Sequence, residues 1–104
     1  MLDAARAVVD EVNDIVSRSR RRLLDDRQLT GAAGSITANI REAYGRRAGA
    51  ERNQFFRFAR GSAEEADEHL RANFEANRVD QKRYWRVHNR LIVIRKMLTA
   101  LMNG

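Results

Sequence analysis

The segment GSITANIREAYGRR, Gly34 to Arg47, places Asn39 and Glu42 beside an apolar series of Ile36, Ile40 and Ala43, and a second polar pair, Ser62 and Glu65, follows in SAEE. A carboxylate next to an amide or hydroxyl can move a proton, hold a ligand or lock two packed helices. Proton transfer asks for a group poised near neutral pH, and the chain has two histidines, His69 and His88. A di-iron centre in a helical bundle would need Glu-x-x-His on two helices. Ala66 stands three before His69 and Trp85 three before His88, so that pattern fails. No Gly-x-Ser-x-Gly elbow surrounds Ser17, Ser19, Ser35 or Ser62. With no cysteine there is no thiolate nucleophile, thiolate zinc site or disulfide framework.

No catalytic residue, metal or cofactor is therefore expected. Asn39, Glu42, Ser62 and Glu65 read as polar locks between two helices, with a ligand pocket built from the same four as the competing reading. A buried carboxylate is costly without partners, and Arg46 and Arg60 stand at suitable places. The acidic run Glu64, Glu65, Asp67 and Glu68 reads as a solvated face or as a salt-bridged contact with a neighbouring chain.

The positive charge carries a second kind of chemistry. Lysine plus arginine number 20 against 14 acids, a net +6, and all the cations except Lys82 and Lys96 are arginines, whose planar forks grip phosphate and stack on bases. A GC-rich genome would also favour arginine, so the net sign is the firmer clue. Polyanions are expected partners. Two clusters stand out: Arg18, Arg20, Arg21 and Arg22 in RSRRR, and Lys82, Arg83, Arg86 and Arg90 in a C-terminal stretch without acids. These eight are the candidate nucleic-acid contacts, with Tyr84 and Trp85 beside them as possible stacking rings. The first cluster has a plainer account too, because cations complement a helix C-terminus.

The elements that must position these residues are helices, since the chain has no proline and only 6 glycines. Apolar steps of three and four residues predict helices over about 2–24, 35–47, 51–77 and 81–102, in a single all-α domain spanning 1–104. DDRQLTGAAG reads as the first break, with Ser35 capping the second helix and Asp80 capping the last. The third segment admits two readings: one helix through Gly61, or a stop there and a restart at the Ser-x-x-Glu box of Ser62. Four helices with short turns make a bundle. Phe56, Phe74, Trp85 and Ile92 leave the main apolar seams, so they are expected to form a subunit interface, against the alternative of a wide core. The longest apolar run, Leu91 to Ile94, is too short to span a membrane, and no secretory signal is read. A reducing, cytoplasmic location is expected.

SITANIREAYGR at Ser35 to Arg46, FFRFARGSAEEADEHL at Phe55 to Leu70 and IRKMLTALM at Ile94 to Met102 resemble the 23S rRNA intervening-sequence family of four-helix-bundle proteins. Ser35, Ile36, Asn39, Ile40, Glu42, Tyr44, Gly45, Arg46, Ala59, Gly61, Ser62 and Glu65 fit its two spaced motifs. Thr37 stands where proline is usual and Ala43 where glycine is. The resemblance implies a left-handed up-down four-helix bundle, assembly as a ring-like homopentamer, and no enzyme. It also implies kinship with accessory subunits of the reverse transcriptases of diversity-generating retroelements, so RNA and a reverse transcriptase are expected partners. It favours one long third helix, with Gly61 bringing two backbones together. A purely protein–protein assembly module is the alternative function.

Overall fold

Apolar residues at helical spacing organise the chain into four helices: α1 (Leu2–Arg18), α2 (Asp26–Tyr44), α3 (Ala50–Glu75) and α4 (Gln81–Asn103). This architecture comes from a computed structural model, which describes residues 1–19 and 22–103. Each helix contributes one buried stripe: Ala5, Val8, Val12 and Ile15 from α1, Leu29, Ile36 and Ile40 from α2, Phe56 and Leu70 from α3, and Val87, Leu91, Ile94 and Leu98 from α4. Their stripes meet in a single core, and neighbours pack in the cycle α1–α2–α3–α4–α1. The result is an all-α four-helix bundle about 45 Å long and 19 Å across, with no strand among the described residues.

Two expectations about boundaries are corrected. The first helix ends at Arg18, where Ser19 turns to an extended backbone, rather than running to Leu24. The second begins at Asp26, not Ser35, so the stretch read as a break is mostly helix. The signal was present: Leu29, Ala32, Ala33 and Ile36 continue the three- and four-residue steps and are all buried. Gly31 and Gly34 cost about 1 kcal/mol each in helix propensity relative to alanine, whereas burying one leucine returns about 1.5–3 kcal/mol. Burial wins.

The α2–α3 pair is the most intimate in the bundle. Ala32, Ala33 and Ala43 on α2 and Ala59, Ala63 and Ala66 on α3 are buried, and small side chains let helix axes approach. α3 runs unbroken through Gly61. That glycine is exposed and an added Cβ would meet nothing within 4 Å, so it does not serve close backbone approach. α3 closes with Asn77 in the left-handed region at φ 59, while the Arg78 N–H donates to the Asn73 carbonyl at 2.8 Å. This is the turn that asparagine tolerates after a helix. Asp80 then caps α4 as expected, its Oδ2 accepting from the Arg83 N–H at 3.1 Å.

Candidate nucleic-acid interface

The four residues read as polar locks separate into different roles. Ser62 Oγ donates to Ser35 Oγ at 3.0 Å, the one direct tie between α2 and α3 in this set, and Asn39 Nδ2 donates to the Ser35 carbonyl at 2.8 Å and its hydroxyl at 3.0 Å. Glu42 is exposed and bonded at 3.0 Å to Arg46, just past the end of α2. Glu65 is also exposed, with His69 Nε2 3.7 Å away on its own helix. Arg60 does not serve either carboxylate; its Nη1 donates to Thr99 at 3.2 Å. The expected carboxylate locks are thus solvent-facing pairs within or beside single helices, and Ser35 is the hub that sequence reading had assigned to capping.

The buried polar ties lie elsewhere. Asn73 is fully buried on α3, and its side chain clasps the backbone of Leu24: Oδ1 accepts from the Leu24 N–H at 2.6 Å and Nδ2 donates to the Leu24 carbonyl at 3.0 Å. A third bond, Nδ2 to the His69 carbonyl at 2.8 Å, satisfies the remaining donor. Asp67, also buried, lies 2.7 Å from His88 Nδ1 on α4, so the Nδ1-protonated imidazole donates across the helix pair. His88 stacks on Tyr84 at 5.4 Å, and Tyr84 on Phe74 at 4.3 Å with planes 5° apart. The Arg71 guanidinium is held above its ordinary pKa, first by its hydrogen bond with Tyr84 and then by the charge of that group and of Asp67. Among the described residues no cluster of three or more His, Cys, Asp or Glu is set to hold a metal. Asp67 hid in an acidic run, whereas Asn73 stands on the helical seam of Ala59, Ala66 and Leu70, where spacing alone places it, and only its bonds to Leu24 needed the fold. The available signal for Asp67 was its position next to Ala66 and three before Leu70, both on the buried stripe.

One member of each basic cluster, Arg18 and Arg83, meets the other at one end of the bundle. Arg18 from α1, Arg78 from the α3–α4 turn and Arg83 from α4 line an open cleft of about 610 Å³, together with Ser19, Asn77 and Asp80. Arg22 is exposed nearby, and its carbonyl accepts from Arg78 Nη1. Arg20 and Arg21 lie outside the described residues. Acids temper this surface: Arg18 pairs with Asp14 at 2.7 Å, Arg83 with Asp80 at 3.5 Å and Arg90 with Glu11 at 3.0 Å. Arg86 lines a groove with Asp10, Glu11 and Asp14, while Lys82 is exposed. Arg90 therefore ties α1 to α4. Arg78 escaped the sequence reading because it stands alone between neutral residues, and folding brings it to the clusters.

Of the expected subunit-interface residues, Phe56 is fully buried and is the largest such side chain in the core, so it is not a surface for another chain. Phe74 is partly buried against the core and against Tyr84. Trp85 remains exposed, at 45%, and Ile92 is half-buried. Val93, Met97 and Leu101 are further exposed apolar residues on α4. No helix among the described residues is long and apolar enough to cross a membrane.

Residues 2–100 match the family model described as 23S rRNA-intervening sequence protein. The fold superposes, with a TM-score of 0.85, on a crystal structure described as a protein with unknown function from the S23 ribosomal protein family of Bacteroides thetaiotaomicron. The two chains are 22% identical over 99% of this chain and 94% of that one. No curated protein matches.

Proposed function

The chain belongs to the 23S rRNA-intervening sequence protein family, and from that premise we propose that it is a non-catalytic, homo-oligomeric scaffold that binds RNA. The observation that carries this reading is the convergence of Arg18, Arg78 and Arg83, drawn from three parts of the chain, on one cleft. Its volume of about 610 Å³ is that of a nucleotide-sized site. Arg78 Nη1 donates to the Arg22 carbonyl, which fixes its guanidinium at the cleft wall. Exposed Trp85, Val93, Met97 and Leu101 on α4 support self-association, with a pentamer as the expected size and a cytoplasmic reverse transcriptase complex as a setting in which such a scaffold would act. In that setting the protein holds RNA and enzyme together and performs no chemistry.

The test is binding of a labelled single-stranded RNA over a salt series. Affinity should fall with salt at a log–log slope of about −0.7 per phosphate contact. Replacing Arg18, Arg22 and Arg83 by glutamine should flatten that slope by about two while leaving the helical signal and assembly mass unchanged. Arg90 is left in place, because its loss would strand half-buried Glu11. A wild-type protein that binds no RNA or DNA at low salt refutes the reading and leaves a protein–protein assembly module, the role to which the exposed α4 residues would then belong.

A further inference from the structure

The net charge is not where the cation clusters are. The Ser35–Ser62 contact and the Arg90–Glu11 pair mark levels near the middle of the bundle. In the half that includes the end of α4 and the cleft's opposite pole, residues 1–9, 35–62 and 93–104, nine arginines and lysines stand against three acids, Asp3, Glu42 and Glu51. In the other half, which contains both predicted clusters, eleven cations meet eleven acids. Arg95 of this half pairs with Glu64 of the other at 3.5 Å, so a net of +5 rests with the end built around the α2–α3 turn. All three acids there are already paired, Asp3 with Arg6 and both glutamates with Arg46. Arg41, Arg47, Arg52 and Arg57 make no ion pair among the described residues.

The same end presents rings. Tyr44 is 54% exposed and Phe58 48% exposed, two of the most exposed large side chains with apolar surface. Each is braced edge-on by an inner phenylalanine: Tyr44 against Phe56 at 5.9 Å, Phe58 against Phe55 at 5.8 Å. Each inner ring is in turn covered by a guanidinium, Arg52 lying 5.1 Å from the Phe56 centroid and Arg46 4.6 Å from that of Phe55. Two exposed rings with fixed orientation, set among arginines that have no carboxylate to neutralise them, are the combination that holds single strands: charge tracks the backbone and each ring offers a face to a base. Apolar docking of a protein segment would not need the unpaired charge. A phosphate site alone would not need the rings.

We propose that the α2–α3 end is a single-stranded RNA-binding surface, separate from the cleft, in which Tyr44 and Phe58 stack on bases while Arg41, Arg47 and Arg57 contact phosphates. It rests on the nucleic-acid reading above and adds a second point of contact at the opposite end of a 45 Å rod. The field of the molecule thus steers the strand first to this end, since long-range attraction follows net charge and not local clusters.

The experiment uses the full chain with two probes, a labelled oligouridylate of about 20 nucleotides, longer than the ~16 that one binding fold covers, and inorganic polyphosphate. One variant carries Tyr44→Leu and Phe58→Leu, which keep apolar bulk and remove the ring faces; another carries Arg41→Gln, Arg47→Gln and Arg57→Gln. The ring variant is expected to bind oligouridylate about tenfold or more weakly, as loss of base stacking implies, and polyphosphate within about twofold of wild type. The arginine variant should weaken both and flatten the salt slope by about two. Wild-type affinity in the arginine variant, alongside lost binding in the Arg18, Arg22 and Arg83 variant, overturns this surface and leaves the cleft. Equal losses for both probes in the ring variant overturn the stacking role, and a changed assembly mass in either variant makes the end a subunit contact instead. Absence of any binding by the wild type removes this proposal together with the nucleic-acid reading.

Discussion

Replacing Asn73 by alanine tests whether one buried amide holds the α1–α2 connection against α3. The side chain is fully buried and makes three hydrogen bonds, two of them to the backbone of Leu24. Truncation leaves the Leu24 N–H and carbonyl without their partner, at about 1–3 kcal/mol for each group that stays buried. Leu24 is 41% exposed, so water reaches part of this segment and the lower end of that range applies. Adding the space left by the amide gives a loss of about 2–4 kcal/mol, a large share of the roughly 5–15 kcal/mol that a domain has. Urea unfolding at fixed chain concentration should show it as a midpoint lowered by about 1–2 M with an unchanged slope. Amide exchange at Leu24 should rise from protected to nearly free. Asn39→Ala is the control: its bonds stay within α2, so about 0.5–1 kcal/mol is expected. A loss below about 0.5 kcal/mol for Asn73→Ala, comparable to a neutral surface change, would refute the clasp.

Glu42→Ala and Glu65→Ala should each leave the urea midpoint within about 0.5 kcal/mol of wild type, because both carboxylates are exposed; a loss of several times that would restore them as locks, buried on assembly. Asp67→Ala should cost about 1.5–3 kcal/mol, since it strips His88 of a charged partner in a buried setting. Asp67→Asn should recover part of that loss by thermal melting, as its amide oxygen still accepts from Nδ1, and equal losses in both variants would point to something other than this hydrogen bond.

Regular spacing made the bundle legible. The α4 stripe and the Asp80 cap follow directly from residue types at fixed steps, and Leu29, Ala32 and Ile36 recur as regularly, but Gly31 and Gly34 among them carry the turn signal that masks the buried stripe. The polar interior was harder to read because burial of a polar residue is decided by a few tens of degrees around a helix. Asn73 and Asp67 fall inside that arc and Glu65 outside it, although all three belong to one polar stretch of sequence. The cleft was half legible: its clusters can be seen in the chain, but their neutralisation by Asp14, Asp80 and Glu11 depends on which helices become neighbours. The charge of the α2–α3 end is less conspicuous than either cluster because Arg41, Arg46, Arg47, Arg52, Arg57 and Arg60 are never more than two in a row, and what isolates them is that α1 and α4 bring only Asp3 to that end.

The uneven intimacy of the helix pairs also orders the assembly of the fold. α2 and α3 join through the short turn at 45–49 and pack most closely, so their hairpin closes a small loop and gains the most contact for the least loss of chain entropy. α1 meets α4 along the most sparsely packed seam, between the first and last of the four bundle helices. During translation α1 must therefore wait for α4 before the second of its two flanks is covered. Throughout that interval its apolar stripe is held on one side only, which makes α1 the element from which opening of the finished bundle begins.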